Sequence, residues 1–194
     1  MKKIVITILL AALILFGASF ALRDIGAQKA QEEHLWLMQT LLPGSAQFTR
    51  EPYSGEDANI RSVHKAENGF VIETVTYGYA DEMTVLVAVN NDGYVTGVVV
   101  REAHETPGLG SKALTDHVFL SQFLNKSGSF AVAANEADAF SGATAAPAPE
   151  GESIDVDAIT GATVTSKAVV RCVNSAVAYV TGADAVSGAT TWGG

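Results

Sequence analysis

Ten consecutive residues, Asp157 to Ser166 (DAITGATVTS), place one carboxylate, four hydroxyls and the minimal side chains of Gly161 and Ala162 directly ahead of KAVVRCVNSAVAYV. In the latter, Val169, Val173, Val177 and Val180 recur at i, i+4, i+8 and i+11, the spacing of one apolar helix face. The ten residues therefore read as a loop entering a helix N-terminus, with Thr165 or Ser166 as the expected cap. Gly161 and Ala162 let the backbone beside Thr163 approach a ligand closely. First-turn N–H groups lack internal acceptors, and with the helix dipole they favour a phosphate at that end. The plainer alternative is an ordinary N-cap after a tight turn.

A second stretch, His104 to Lys112 (HETPGLGSK), offers different chemistry. Pro107-Gly108 makes a turn, Gly110 permits close approach to a flat ligand, and Glu105 and Thr106 supply polar groups. A plain surface turn accounts for the same residues, and His104 reads as shaping the loop rather than as an acid or base.

Other chemistries find little support. The single cysteine, Cys172, lies inside the expected helix, so no disulfide or CxxC pair can form within the chain, and it reads as a small core residue. His34, His64, His104 and His117 have no second ligand at a chelating interval, so no metal site is expected. No catalytic side chain is identified from spacing. The 12 Lys+Arg against 21 Asp+Glu give a net charge of −9. Without Lys2 and Lys3 the remaining chain has 10 basic against 21 acidic residues. Such a surface is repelled by phosphate backbones, which excludes nucleic acid as a partner and disfavours soluble acidic carriers.

The elements that must position these loops follow from the rest of the chain. Ile4 to Leu22 are nineteen residues without a charge. As a helix they would cover ~28 Å, close to the ~30 Å hydrocarbon core. An N-terminal transmembrane anchor over residues 1–23 is expected, with Lys2 and Lys3 cytoplasmic and Arg23 onward outside. A cleaved signal peptide, with Ser19-Phe20-Ala21 as the cleavage site, is the competing reading, although the apolar run exceeds the usual h-region. Residues 24–44 read as a stalk helix that Pro43-Gly44 stops, with Trp36 expected in the core. The domain proper is expected over 45–182, beginning with loop and a short strand over 45–62. Gly69 to Tyr77, Thr84 to Val89 and Tyr94 to Val100 are β-branched and aromatic runs, the last two joined by Asn90-Asn91-Asp92-Gly93, and they predict an antiparallel meander covered on both faces. Tyr77 and Tyr79 are expected as half-buried sheet residues. Leu114, Val118, Phe119 and Phe123 predict an amphipathic helix ending near Lys126 to Gly128, and Phe130 to Ala134 a strand. Residues 135–152 are an Ala/Gly/Pro/Glu-rich insertion, Ile154 and Val156 a returning strand, and 183–194 a small, polar tail. The fold class is α+β, a twisted antiparallel sheet with flanking helices.

Asp157, Thr160, Gly161, Ala162 and Thr163 in that order resemble the flavinylation motif of the FMN-binding domain family, and HETPGLG resembles that family's second signature. The anchor, the stalk and the closing helix complete a resemblance over nearly the whole chain, most of all to G subunits of Rnf-type ion-translocating electron transport complexes. The C subunits of Na⁺-pumping NADH:quinone reductases are related, and this chain is short for one. The resemblance implies FMN joined by a flavin transferase, through its phosphate, to the Thr163 hydroxyl. It also implies a flavin pocket involving Glu105, Thr106, Leu109 and Gly110, with Asp157, Thr160, Gly161, Ala162, Thr165 and Ser166 around the attachment point. It further implies membrane subunits of an Rnf-type complex as partners, an extracytoplasmic domain on the cell membrane, and electrons passing between ferredoxin and NAD with ion translocation. A stand-alone extracytoplasmic flavoprotein carrier without a pump is the alternative, and an anchored binding domain without flavin a third.

The seven-residue pattern occurs three times, at Asp138 to Thr144 (DAFSGAT), Asp157 to Thr163 (DAITGAT) and Asp184 to Thr190 (DAVSGAT). Thr144 runs into Pro147 and Pro149, and Thr190 into Gly193 and Gly194. Neither is followed by a helix that could steady a phosphate, so one stoichiometric flavin at Thr163 is expected.

Overall fold

The computed structural model describes residues 26, 28–103, 114–133 and 153–182. The chain divides into two units, Met1–Met38 and Gln39–Gly194. The described part of the first unit is helical and belongs to α1, residues 28–41. Trp36 is 64% exposed, which corrects the core expectation. It falls three and four residues after Glu33 and Glu32, both exposed, and so shares their polar face.

The second unit is built on five antiparallel strands in sequential order: β1 (Thr49–Glu51), β2 (Ile60–Lys65), β3 (Gly69–Tyr77), β4 (Glu82–Asn90) and β5 (Val95–Ala103). The last three form the expected meander, with β4 and β5 longer than predicted; β1 and β2 lengthen the sheet on the other side. At the β4–β5 turn the Asn90 side chain accepts from the N–H groups of Asp92 (3.1 Å) and Tyr94 (2.8 Å), and Gly93 takes φ +84°. Ile72 pairs with Val87 and Val87 with Val98, so alternation places Ile72, Val85, Val87 and Val89 on one face and Val71, Leu86 and Ala88 on the other. All seven are buried.

The first face packs against α3 (Thr163–Thr181), whose Ala168, Val169, Val173, Ala176 and Val177 join the core. Cys172 is fully buried there, as expected. On the other face the end of α1 approaches β5 so closely that a Cβ on Gly97 would lie 2.8–2.9 Å from Leu41. Leu41 also accepts the Thr96 hydroxyl at its carbonyl, 2.8 Å away. Tyr77 and Tyr79 are 70% and 73% exposed rather than half-buried, because β3 ends at Tyr77 and Tyr79 sits in the turn beyond it.

After β5, Asp116 caps α2 (His117–Ser121), accepting from the N–H groups of Val118 and Phe119. The expected apolar stripe fails at Val118, which is 77% exposed. Capping at Asp116 separates the helical residues 114–115 from the short helix His117–Ser121, in which Phe119 is buried and Val118 exposed. Phe119, Phe123 and Phe130 stack edge-on, with centroids 5.6 and 5.2 Å apart. Strands β6 (Phe130–Val132) and β7 (Ile154–Val156) then form a small parallel pair outside the antiparallel sheet.

The result is an α+β architecture, an antiparallel sheet with helices. The expected anchor over Ile4 to Leu22, the 135–152 insertion and the 183–194 tail lie outside the described residues. Among the described residues, no helix is long and apolar enough to cross a membrane.

Candidate functional site

Strand β7 delivers the chain into Asp157 to Ala162, and α3 begins at Thr163. A tight turn makes the transition. Ala162 donates its N–H to the Ile159 carbonyl (2.9 Å), and Gly161 takes φ +78°, a conformation that side chains with a Cβ disfavour. The helix therefore starts earlier than predicted, with Ala162 as its N-cap instead of Thr165 or Ser166. Both of those hydroxyl residues are buried in the first turn. The Ser166 hydroxyl accepts from Ile159 N–H (3.2 Å) and donates to Ala162 C=O (3.0 Å), so it braces the turn instead of capping the helix.

An alanine cap contributes no side-chain oxygen and makes no side-chain cap bond. The first turn carries no acidic residue. Thr163 is half-buried, Asp157, Thr160 and Gly161 are exposed, and Ala162 is buried. Lys167, exposed, lies one helical turn beyond Thr163 on the same side. Thr163 thus stands at the first position of this helix with the Lys167 cation one turn away, an environment suited to an anion.

The loop is also held from outside. The Gln122 side chain, just past α2, accepts the Asp157 N–H (2.8 Å) and donates to the Asp157 carbonyl (3.1 Å). Sequence reasoning missed Gln122, a lone glutamine thirty-five residues away with no local signal.

Arg171 on α3 donates to the Tyr77 carbonyl at the end of β3 (3.0 Å), whereas Tyr179, two turns later, packs edge-on against Phe70 at its start. The helix therefore runs antiparallel to β3 and begins at the Tyr77 end of the sheet. Met83 pairs with both Thr76 and Ala103, so β5 also ends there. The strand that leads into HETPGLG thus finishes at the end of the sheet where α3 starts; Glu105, Thr106, Leu109 and Gly110 themselves lie outside the described residues.

Cys172, deep under α3, has its thiol pushed up to about 11 by burial, with a hydrogen bond to Thr74 opposing the shift only in part. It is a neutral core group at physiological pH.

Residues 78–178 match the family model for the FMN-binding domain. The chain belongs to the FMN-binding domain family. It is 40% identical over 110 residues to the G subunit of the Na⁺-translocating ferredoxin:NAD⁺ oxidoreductase complex of Acetobacterium woodii, an alignment covering 56% of this chain and 47% of that protein. The match thus spans about half the length of that relative. Against the G subunit of the proton-translocating ferredoxin:NAD⁺ oxidoreductase complex of Clostridium ljungdahlii it is 29% identical, covering 93% and 89% of the two chains. A third G subunit, from the ion-translocating oxidoreductase complex of Methanosarcina acetivorans, is 32% identical over 77% of this chain and 76% of its own. The fold resembles that of the C subunit of the Na⁺-translocating NADH-quinone reductase from Parabacteroides distasonis, with TM-score 0.51, 20% identity, and coverage of 78% of this chain and 93% of that one.

The residues at the loop fit the phosphate end of FMN. The alanine N-cap, the small Gly161 and Ala162, the absence of first-turn acids and the position of Lys167 all favour a phosphoryl group beside Thr163.

Proposed function

We propose that this chain is a membrane-anchored flavoprotein carrying FMN in phosphodiester linkage to Thr163. In this reading it relays electrons as one component of an Rnf-type ion-translocating ferredoxin:NAD oxidoreductase complex. The observation that carries the attachment site is the position of Thr163 as first residue of a nineteen-residue helix whose N-cap, Ala162, supplies no side-chain acceptor. The names of the G-subunit relatives support the electron-transfer role and the membrane complex as partner. The uncharged run Ile4 to Leu22 after Lys2 and Lys3 supports a single-pass anchor with the domain outside the cytoplasm.

FMN, when bound, supplies one- and two-electron chemistry. The chain contributes a nucleophilic hydroxyl, a helix terminus for the phosphate, and a braced loop that fixes the point of attachment. The four pocket residues implied by the second signature, Glu105, Thr106, Leu109 and Gly110, complete the proposed site. A flavin transferase is the partner needed for maturation. No side chain need act as acid or base, because the protein's task is to hold and tune the carrier.

The test is co-expression with a flavin transferase, followed by denaturing electrophoresis and in-gel fluorescence. Covalent FMN survives denaturation and gives a fluorescent band; a dark band from protein made with active transferase and flavin overturns the reading.

A further inference from the structure

We infer that Gln122 is a positioning residue for the flavin-bearing loop, and this rests on the proposed attachment at Thr163. Its amide uses both functions on one residue, Oε1 on the Asp157 N–H and Nε2 on the Asp157 carbonyl. The geometry is that of a peptide group pairing with a strand. Asp157 follows β7 directly; on the β6 side Ile154 N–H bonds to Ser129 C=O (2.8 Å) and Ala133 N–H to Val156 C=O (2.9 Å). Ile154 and Val156 bond towards β6, and Gln122 holds the backbone of the next residue, Asp157, at the point where the motif begins.

The scaffold behind Gln122 is firmly packed. It follows α2 between buried Phe119 and Phe123, which stack on each other, and Phe123 stacks in turn on Phe130. The same device occurs on the other strand of the small sheet: Asn174 of α3 accepts from Phe130 N–H (2.8 Å) and donates to its carbonyl (2.9 Å). One clamp joins β6 to α3 and the other joins the start of the motif to α2. Ser166 braces the inner half of the loop and Gln122 the outer. An electron carrier needs this because transfer rates depend steeply on distance and a tether alone fixes only one end of the cofactor.

Gln122→Ala and Gln122→Met separate hydrogen bonding from packing, since Met keeps length and apolar contact but neither bond. In flavin-free protein, amide exchange at residues 157–159 is expected to accelerate about tenfold or more in both variants, with β3 and β4 unchanged. After flavinylation at Thr163, the FMN fluorescence anisotropy decay is expected to gain a fast component in both variants. Wild-type exchange in Gln122→Met, or an unchanged anisotropy decay with FMN attached, overturns the positioning role. Wild-type protein that accepts no FMN overturns the functional reading instead, and the exchange measurement still decides whether Gln122 holds the loop.

Discussion

Ser166 reaches back seven residues to Ile159, accepting its N–H at 3.2 Å while giving its own proton to Ala162 C=O at 3.0 Å. One hydroxyl thereby joins both ends of the turn that precedes Thr163. Ser166→Ala leaves the Ile159 N–H without this acceptor, and a loss of about 1–2 kcal/mol is expected by urea denaturation. An unchanged midpoint and slope would mean that the hydroxyl contributes nothing to the turn.

The approach of Leu41 to Gly97 leaves no room for a methyl group. Gly97→Ala is expected to destabilise the domain by about 1–3 kcal/mol through overpacking against the end of α1. Thermal unfolding checks this, and a melting temperature at or above that of the parent would contradict the close contact.

Much of this architecture is legible locally. The bounds of β3 can be read directly because Gly69 to Tyr77 is an almost unbroken β-branched and aromatic run between turn signals. β2 is hidden because Arg61, His64 and Lys65 interrupt its apolar residues, and only pairing with β3 makes IRSVHK a strand. The start of α3 is misleading because Thr165 and Ser166 have the chemistry of caps, whereas Gly161 turns the chain earlier and both hydroxyls end up buried. The three-residue strands β6 and β7 owe their pairing to tertiary contacts such as Asn174 with Phe130, and no local pattern announces a parallel pair. Gln122 is unreadable for the same reason.

Cys172 offers a pH signature. Its thiol stays protonated in the folded protein to about 11, whereas an unburied thiol loses its proton near 9.0. A pKa raised by folding contributes stability that is fully present below the unfolded value and is lost as pH rises through the folded one. Stability is therefore expected to fall between about pH 9 and pH 11, and Cys172→Ala is expected to flatten that decline. Alkylation at about pH 8 is expected only after denaturant is added, because the buried thiol is neither ionised nor reachable. Rapid labelling of the native protein would contradict the burial.

Protease added to intact cells is expected to digest the domain beyond Arg23. Protection until the cells are lysed would contradict the proposed orientation of the anchor.

A single flavin on Thr163 is expected, although the chain contains the seven-residue pattern three times. Intact-protein mass spectrometry with peptide mapping, on chain matured by a flavin transferase, tests it most directly. The expected result is one FMN adduct per chain, on the peptide containing Thr163, absent in Thr163→Ala and largely retained in Thr163→Ser. A dominant species with two or three adducts, or FMN mapped to Thr144 or Thr190 with Thr163 unmodified, would contradict it.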